Sequence, residues 1–152
     1  MQQIITEHRA AQPDLMTRFI EIYQQLDRDN LALLAQIYHP LIRFEDPAHR
    51  IEGLPALERY FAQLYAEILS CRFEIHQQMS DDDQAFVQWT MHFAHPRLAQ
   101  GRMRTVAGIT RLTFADGLII SHRDYFDLGE MLYEAVPLLG SAVRFVKARL
   151  GQ

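Results

Sequence analysis

Four runs with a period of two, joined by short polar connections, fill the middle of this chain and leave it few folds to adopt. They span residues 71–79, 84–94, 103–114 and 118–127. The connections are Asp81-Asp82-Asp83, the loop 96–101 and Asp116-Gly117. An Asp-Gly pair between two alternating runs marks a tight hairpin, because both residues tolerate the positive φ that such a turn needs. Strands joined this way pair antiparallel.

Three helical patterns precede the strands. Leu15, Phe19, Ile22, Tyr23 and Leu26 form one apolar stripe after Pro13-Asp14. A shorter helix with Leu31, Leu34, Ala35 and Tyr38 is expected between the Asp29-Asn30 cap and Pro40. Residues 41–46 read as a short strand ended by Pro47. Gly53-Leu54-Pro55 then opens a third helix carrying Leu57, Tyr60, Phe61, Leu64, Tyr65 and Ile68 inward. Beyond Leu128, Leu139, Val143, Val146 and Leu150 have the spacing of a last helix. This order predicts an α+β fold in a single domain over residues 1–152. The sheet is expected to be strongly curved and antiparallel or mixed, with three N-terminal helices on its concave face and a C-terminal helix. Sheet and helices would then make a cone whose mouth is a natural small-molecule pocket.

With 152 residues and a net charge of -4, the chain lacks the basic excess of a nucleic-acid binder. The single Cys71 excludes an internal disulfide and reads as a buried structural thiol. Glu7, His8, Arg9 and Asp14 interrupt any signal-peptide pattern, and no apolar run spans a bilayer, so a cytoplasmic protein is expected. His92 and His95 point to opposite faces of a strand, and no Cys/His/carboxylate spacing resembles a zinc site; no metal or cofactor is expected.

Alternation along 118–127 places His122, Asp124 and Phe126 on one face, continuing from Leu118 and Ile120. A carboxylate aimed into an apolar interior needs a partner, a raised pKa or a chemical role. Arg123 and Asp127 fall on the other face and read as a solvated pair of little energetic weight.

The order of elements resembles the nuclear transport factor 2-like superfamily of α+β cones. Phe44-Glu45-Asp46-Pro47 followed by Gly53 is similar to the ketosteroid isomerase pattern, in which an aspartate before proline shuttles the proton. Arg123-Asp124-Tyr125-Phe126-Asp127-Leu128 resembles the C-terminal end of limonene-1,2-epoxide hydrolase, whose catalytic aspartate falls at Asp124. Other family positions are replaced. The isomerase's oxyanion tyrosine falls at Ile22, with Tyr23 about 100° round the helix, and its protonated acid falls near Thr110. The hydrolase's Arg/Asp pair falls at Trp89 and Met91, and its water-holding Tyr and Asn at Phe44 and Asp46. Neither family reaction is therefore expected by its own mechanism.

The resemblance and the alternation together imply a lining of Phe44, Asp46, Trp89, Met91, Val106, Gly108, Thr110, His122, Asp124 and Phe126. Arg104 would sit near the mouth, with Ile22, Leu26, Leu57, Phe61 and Leu64 as apolar walls. Asp124 would be the central acid/base, with Asp46 or His122 as partner. Asp46 has a plain alternative role in accepting turn hydrogen bonds at the end of its strand. Similarity to SnoaL-like polyketide cyclases implies cofactor-free proton transfer or water addition on a small apolar molecule. The competing expectation is a non-catalytic ligand-binding or regulatory module, or an interaction subunit using the outer face of the sheet. A homodimer suits all three. The basic last helix, with Arg144, Lys147 and Arg149, is expected to pack across the mouth or against a partner rather than on a membrane.

Overall fold

The computed structural model describes residues 12–150. Glu7, His8 and Arg9, read above against a signal peptide, lie outside the described residues. Helix α1 (Gln12–Gln25) is followed by a 3-10 segment (Leu31–Gln36), strands β1 (Tyr38–Glu45) and β2 (Arg50–Glu52), and helix α2 (Leu54–Glu67). Four long strands come next: β3 (Ser70–Ser80), β4 (Gln84–Ala94), β5 (Arg104–Ala115) and β6 (Leu118–Phe126). A short α3 (Leu128–Met131), a 3-10 turn (Tyr133–Ala135) and α4 (Leu139–Leu150) close the described chain.

The six strands form one sheet in the order β2-β1-β6-β5-β4-β3. Neighbours are antiparallel except β1 and β6, which run parallel. The β5–β6 hairpin turns on Asp116 (φ 54) and Gly117 (φ 75), the left-handed pair that a two-residue turn demands. Leu15, Met16, Phe19, Ile22 and Leu26 of α1, with Leu57 and Phe61 of α2, bury their stripes against Val87, Trp89, Val106 and Leu112 of the sheet. Among the described residues no helix is long and apolar enough to cross a membrane.

Three expectations need correction. The second helix is only a 3-10 segment, and Tyr38 belongs to β1. Pro40 disfavours helical backbone at His39, so Tyr38-His39 is extended, and the proline sits where the β1–β6 register shifts. The inner face of β6 does not run through Leu118 and Ile120. A bulge between Thr113 and Phe114 pairs Ser121 with Thr113 but Ile119 with Phe114, which switches the parity. Ile119 and His122 are consequently both buried. Last, the stripe of α4 is mostly solvent-facing: Leu139, Val146 and Leu150 are exposed and only Val143 is half-buried.

Candidate functional site

Inside the cone lies a cavity of about 80 Å³. Its polar wall is Asp46 and Asp124. Tyr23, Phe44, Tyr60, Phe61, Phe73, Trp89 and Phe126 supply seven aromatic rings, and Leu64, Met91 and Met131 complete the lining. Larger depressions, such as one of about 560 Å³ over His49 and Tyr60, lie on the surface and contain neither aspartate.

β6 delivers the central carboxylate. His122 and Asp124, two apart on one strand, face the interior together. His122 is 1% exposed and donates or accepts at both nitrogens: Nε2 lies 2.8 Å from Asp124 Oδ1 and Nδ1 lies 2.7 Å from the Tyr38 hydroxyl. That hydroxyl is 2.5 Å from the hydroxyl of Tyr23 on α1. From the other side, Thr110 on β5 donates to Asp124 Oδ1 at 2.5 Å and accepts the indole N–H of Trp89 at 2.8 Å. The rings of Phe44 (4.6 Å between centroids), Tyr23 (5.9 Å) and Phe19 (6.0 Å) hold the imidazole in place.

The direction of this chain follows from its ends. An indole can only donate, so Thr110 must accept from Trp89 and pass its own proton toward Asp124. An ionised carboxylate can only accept, so His122 Nε2 carries a proton. With a neutral imidazole, Nδ1 accepts from Tyr38, which accepts from Tyr23. Every donor then points toward Asp124. Burial pushes the hydroxyls of Tyr23 and Tyr38 well above the usual phenol range, and the nearby Asp124 raises both further.

Asp46 has a different setting. Its Oδ1 accepts the backbone N–H groups of Ala48 and His49, both at 2.7 Å, and lies 3.1 Å from His49 Nδ1. Its Oδ2 accepts the Tyr60 hydroxyl at 3.0 Å. The carboxylate closes the turn after β1 and also forms part of the cavity wall. Burial, and then the Asp46 charge, drive the Tyr60 phenol far above its ordinary range.

The structure thus gathers Asp124, Asp46, Phe44, Phe61, Trp89, Met91 and Phe126 around one volume. His122 and Thr110 stand behind Asp124, not in the wall. Ile22 and Val106 are buried in the core outside the lining, and Tyr23 occupies the cavity position that the resemblance gave to Ile22. Arg104 is not in the wall and donates to the Glu130 carbonyl at 2.7 Å, next to the lining residue Met131. Arg123 pairs with Glu45 across the β1–β6 seam, not with Asp127. Asp127 instead caps α3 through the Glu130 N–H and binds Lys147 at 2.8 Å. Sequence reasoning missed Phe73, Met131 and the role of Tyr38; the aromatic residue on the inner parity of β3 was the available signal for Phe73. Burial pushes the Cys71 thiol up to about 12. Among the described residues no group of His, Cys, Asp and Glu is arranged to hold a metal.

The fold is similar to solved structures that share little sequence. A candidate SnoaL-like polyketide cyclase from Jannaschia sp. CCS1 is 19% identical, with a TM-score of 0.69, covering 90% of this chain and 99% of that one. A protein with a ketosteroid isomerase-like fold from Catenulispora acidiphila, in complex with trimethylamine, is 17% identical (TM-score 0.68; 81% and 92% covered). An epoxide hydrolase of M. tuberculosis, similar to limonene epoxide hydrolase, is 17% identical (TM-score 0.64; 86% and 92% covered). No curated protein matches the chain by sequence. Residues 17–122, from α1 to the buried histidine of β6, match the SnoaL-like domain, and the chain belongs to that family.

Proposed function

We propose that this chain binds a small, mostly apolar molecule in its cone and exchanges a proton with it through Asp124. The observation that carries the reading is the asymmetry of that carboxylate. Its hydrogen bonds from Thr110 and His122 both converge on Oδ1, and Asp124 lines the cavity, so Oδ2 is the oxygen a ligand meets. Two donors on one oxygen fix the orientation of the carboxylate, which a general base requires. In the reaction a C–H or O–H bond of the ligand breaks, the proton moves to Oδ2, and it returns to a different atom of the ligand. His122 serves as a positioning residue, since it does not reach the cavity. Asp46 is the second charge of the wall, already engaged by its turn.

The volume sets a limit. Ligand pockets usually span roughly 300–1,000 Å³, whereas this one holds about 80 Å³. The ligand is therefore a compact molecule of few heavy atoms. Trimethylamine in the relative from Catenulispora acidiphila is of that size class.

Incubation with a panel of small carbon acids, cationic and neutral, in heavy water, followed by NMR, tests the chemistry. Deuterium wash-in above the buffer rate is expected, falling about 100-fold or more in Asp124→Asn. Ligands that bind without any exchange would favour the non-catalytic binding module instead. One observation already leans that way: the indole of Trp89 and the hydroxyls of Tyr23 and Tyr60 are all committed to other partners, leaving no donor for a developing oxyanion.

Self-association is proposed through the outer face of the sheet, where Ile109 and Tyr125 are register partners on neighbouring strands and both exposed. Sedimentation should show a dimer that Ile109→Lys converts to monomer; a monomeric parent protein would refute it.

A further inference from the structure

The chemistry of the cavity wall selects for charge. A neutral polar ligand, such as a ketone or an ester, needs a donor for its oxygen, and burying that oxygen without one is costly. The donors in the wall are already used: Tyr60 on Asp46, Tyr23 on Tyr38, and Trp89 on Thr110. What remains to meet a ligand is of one electrostatic sign. Oδ2 of Asp124 is an acceptor, the Asp46 carboxylate adds a second negative group, and seven aromatic rings line the remaining wall. Among the described residues, no lysine, arginine or histidine is part of the lining.

Rings and carboxylates around a compact space form the arrangement that recognises an ammonium ion. The ring quadrupoles attract a cation within about 6 Å of their centroids, most strongly where water is excluded. The carboxylates complete the neutralisation. Each aspartate has one imidazole beside it, His122 for Asp124 and His49 for Asp46, which balances its charge only when protonated. Among the described wall residues there is no permanent counter-charge, and a buried charge without one is unfavourable. A volume of about 80 Å³ admits a small alkyl-substituted ammonium and excludes a terpene or a steroid.

We propose that the cavity binds a small alkylammonium cation, its N–H directed at Asp124 Oδ2 and its alkyl groups packed on the rings of Phe73, Trp89 and Phe126. The proposal rests on the reading of this cavity as a ligand site and adds the charge and size of the ligand. It also separates this chain from chemistry that passes through an oxyanion, for which the described residues of the wall have no donor.

Trp89 is the sole tryptophan of the chain and lines the cavity, so its fluorescence reports occupancy directly. Titration with trimethylammonium chloride is compared with tert-butanol, a neutral molecule of similar shape, and with pivalate, an anionic one. Trimethylammonium is expected to bind at least roughly tenfold more tightly than tert-butanol, a difference of about 1.4 kcal/mol, and pivalate not at all. Asp124→Asn should remove that preference, weakening the cation by a larger factor than tert-butanol. Phe126→Leu, which keeps the apolar volume and deletes a ring, should weaken the cation selectively and serves if the Asp124 variant does not fold. Equal or tighter binding of tert-butanol to the parent protein overturns the cation proposal and leaves the pocket intact. Failure of all three probes to bind removes both readings. An equal loss for cation and alcohol in Asp124→Asn would overturn the charge argument alone.

Discussion

At the scale of single residues, the most constrained position is Gly108. It faces Trp89 across the β4–β5 pair, and a Cβ built there would come within 2.3 Å of the indole ring. The indole therefore lies flat over the glycine, which aims its N–H at Thr110. Gly108→Ala must displace the ring, and overpacking of this kind costs about 1–3 kcal/mol. Denaturant melts, with a changed near-UV signal from Trp89, check this. Thr110→Val keeps the shape but strands the indole N–H and removes a donor from Asp124. A loss of about 1–3 kcal/mol is expected by the same melts. Cys71, with its thiol pushed up to about 12 by burial, should resist alkylation at neutral pH until the protein is unfolded. Fast labelling of the native protein would contradict that.

Elements explain which of these residues were legible beforehand. Asp124, His122 and Phe126 could be placed together because a strand alternates and β6 is regular past its bulge. The switch at Ile119 was invisible, since a bulge changes parity without any turn residue to announce it. Tyr38 was misplaced because 31–39 combines helical spacing with an extended end imposed by Pro40. Strand β2 has only three residues, too few for a period to register. The parallel seam between β1 and β6 also leaves no local trace. At the C-terminal end, α4 is tied by Lys147 to Asp127 and to Glu134, at 2.8 and 2.6 Å. Those hydrogen bonds hold the Asp127 carboxyl below its ordinary value of 3.8. A depressed carboxyl adds stability above that ordinary value and loses it as pH falls through the lowered one. Amide exchange in α4 should therefore accelerate in acid before the sheet is affected, and Lys147→Ala should reproduce the effect at neutral pH. Unchanged exchange in that variant would mean that apolar packing alone holds the helix.

For the whole molecule, the fold class and the hairpin order of β3 to β6 were readable from helices followed by alternating runs, whereas the cavity's size depended on how rings interlock. Phe73 stands edge-on to both Tyr23 and Trp89, and only the assembled fold shows how little space remains. The buried tyrosines also set an alkaline limit. Tyr23 and Tyr38 ionise far above their ordinary value of 10.0, so folding favours the protonated phenols. Their contribution is complete below that value and declines as pH rises beyond it, because only the unfolded chain can release those protons. In a Tyr125→Phe/Tyr133→Phe background, which removes the two exposed phenols, unfolding and tyrosinate absorbance should consequently appear together in alkali. Tyrosinate formed while the fold persists would show that the pair is open to solvent.

The bond between Tyr38 and His122 joins residues 84 positions apart, across strands that pair in parallel. The hairpins of β3 to β6 can zip from their turns, but this seam must wait for the two halves of the chain to meet, and distant contacts of this kind form slowly. The imidazole behind Asp124 is thus oriented only when folding is complete. A chain caught with its hairpins formed and its first strand undocked would keep the Thr110 bond to Asp124 yet lack the Tyr38 bond that fixes the far nitrogen of His122. Assembly of this hydrogen-bonded chain and completion of the fold are a single event.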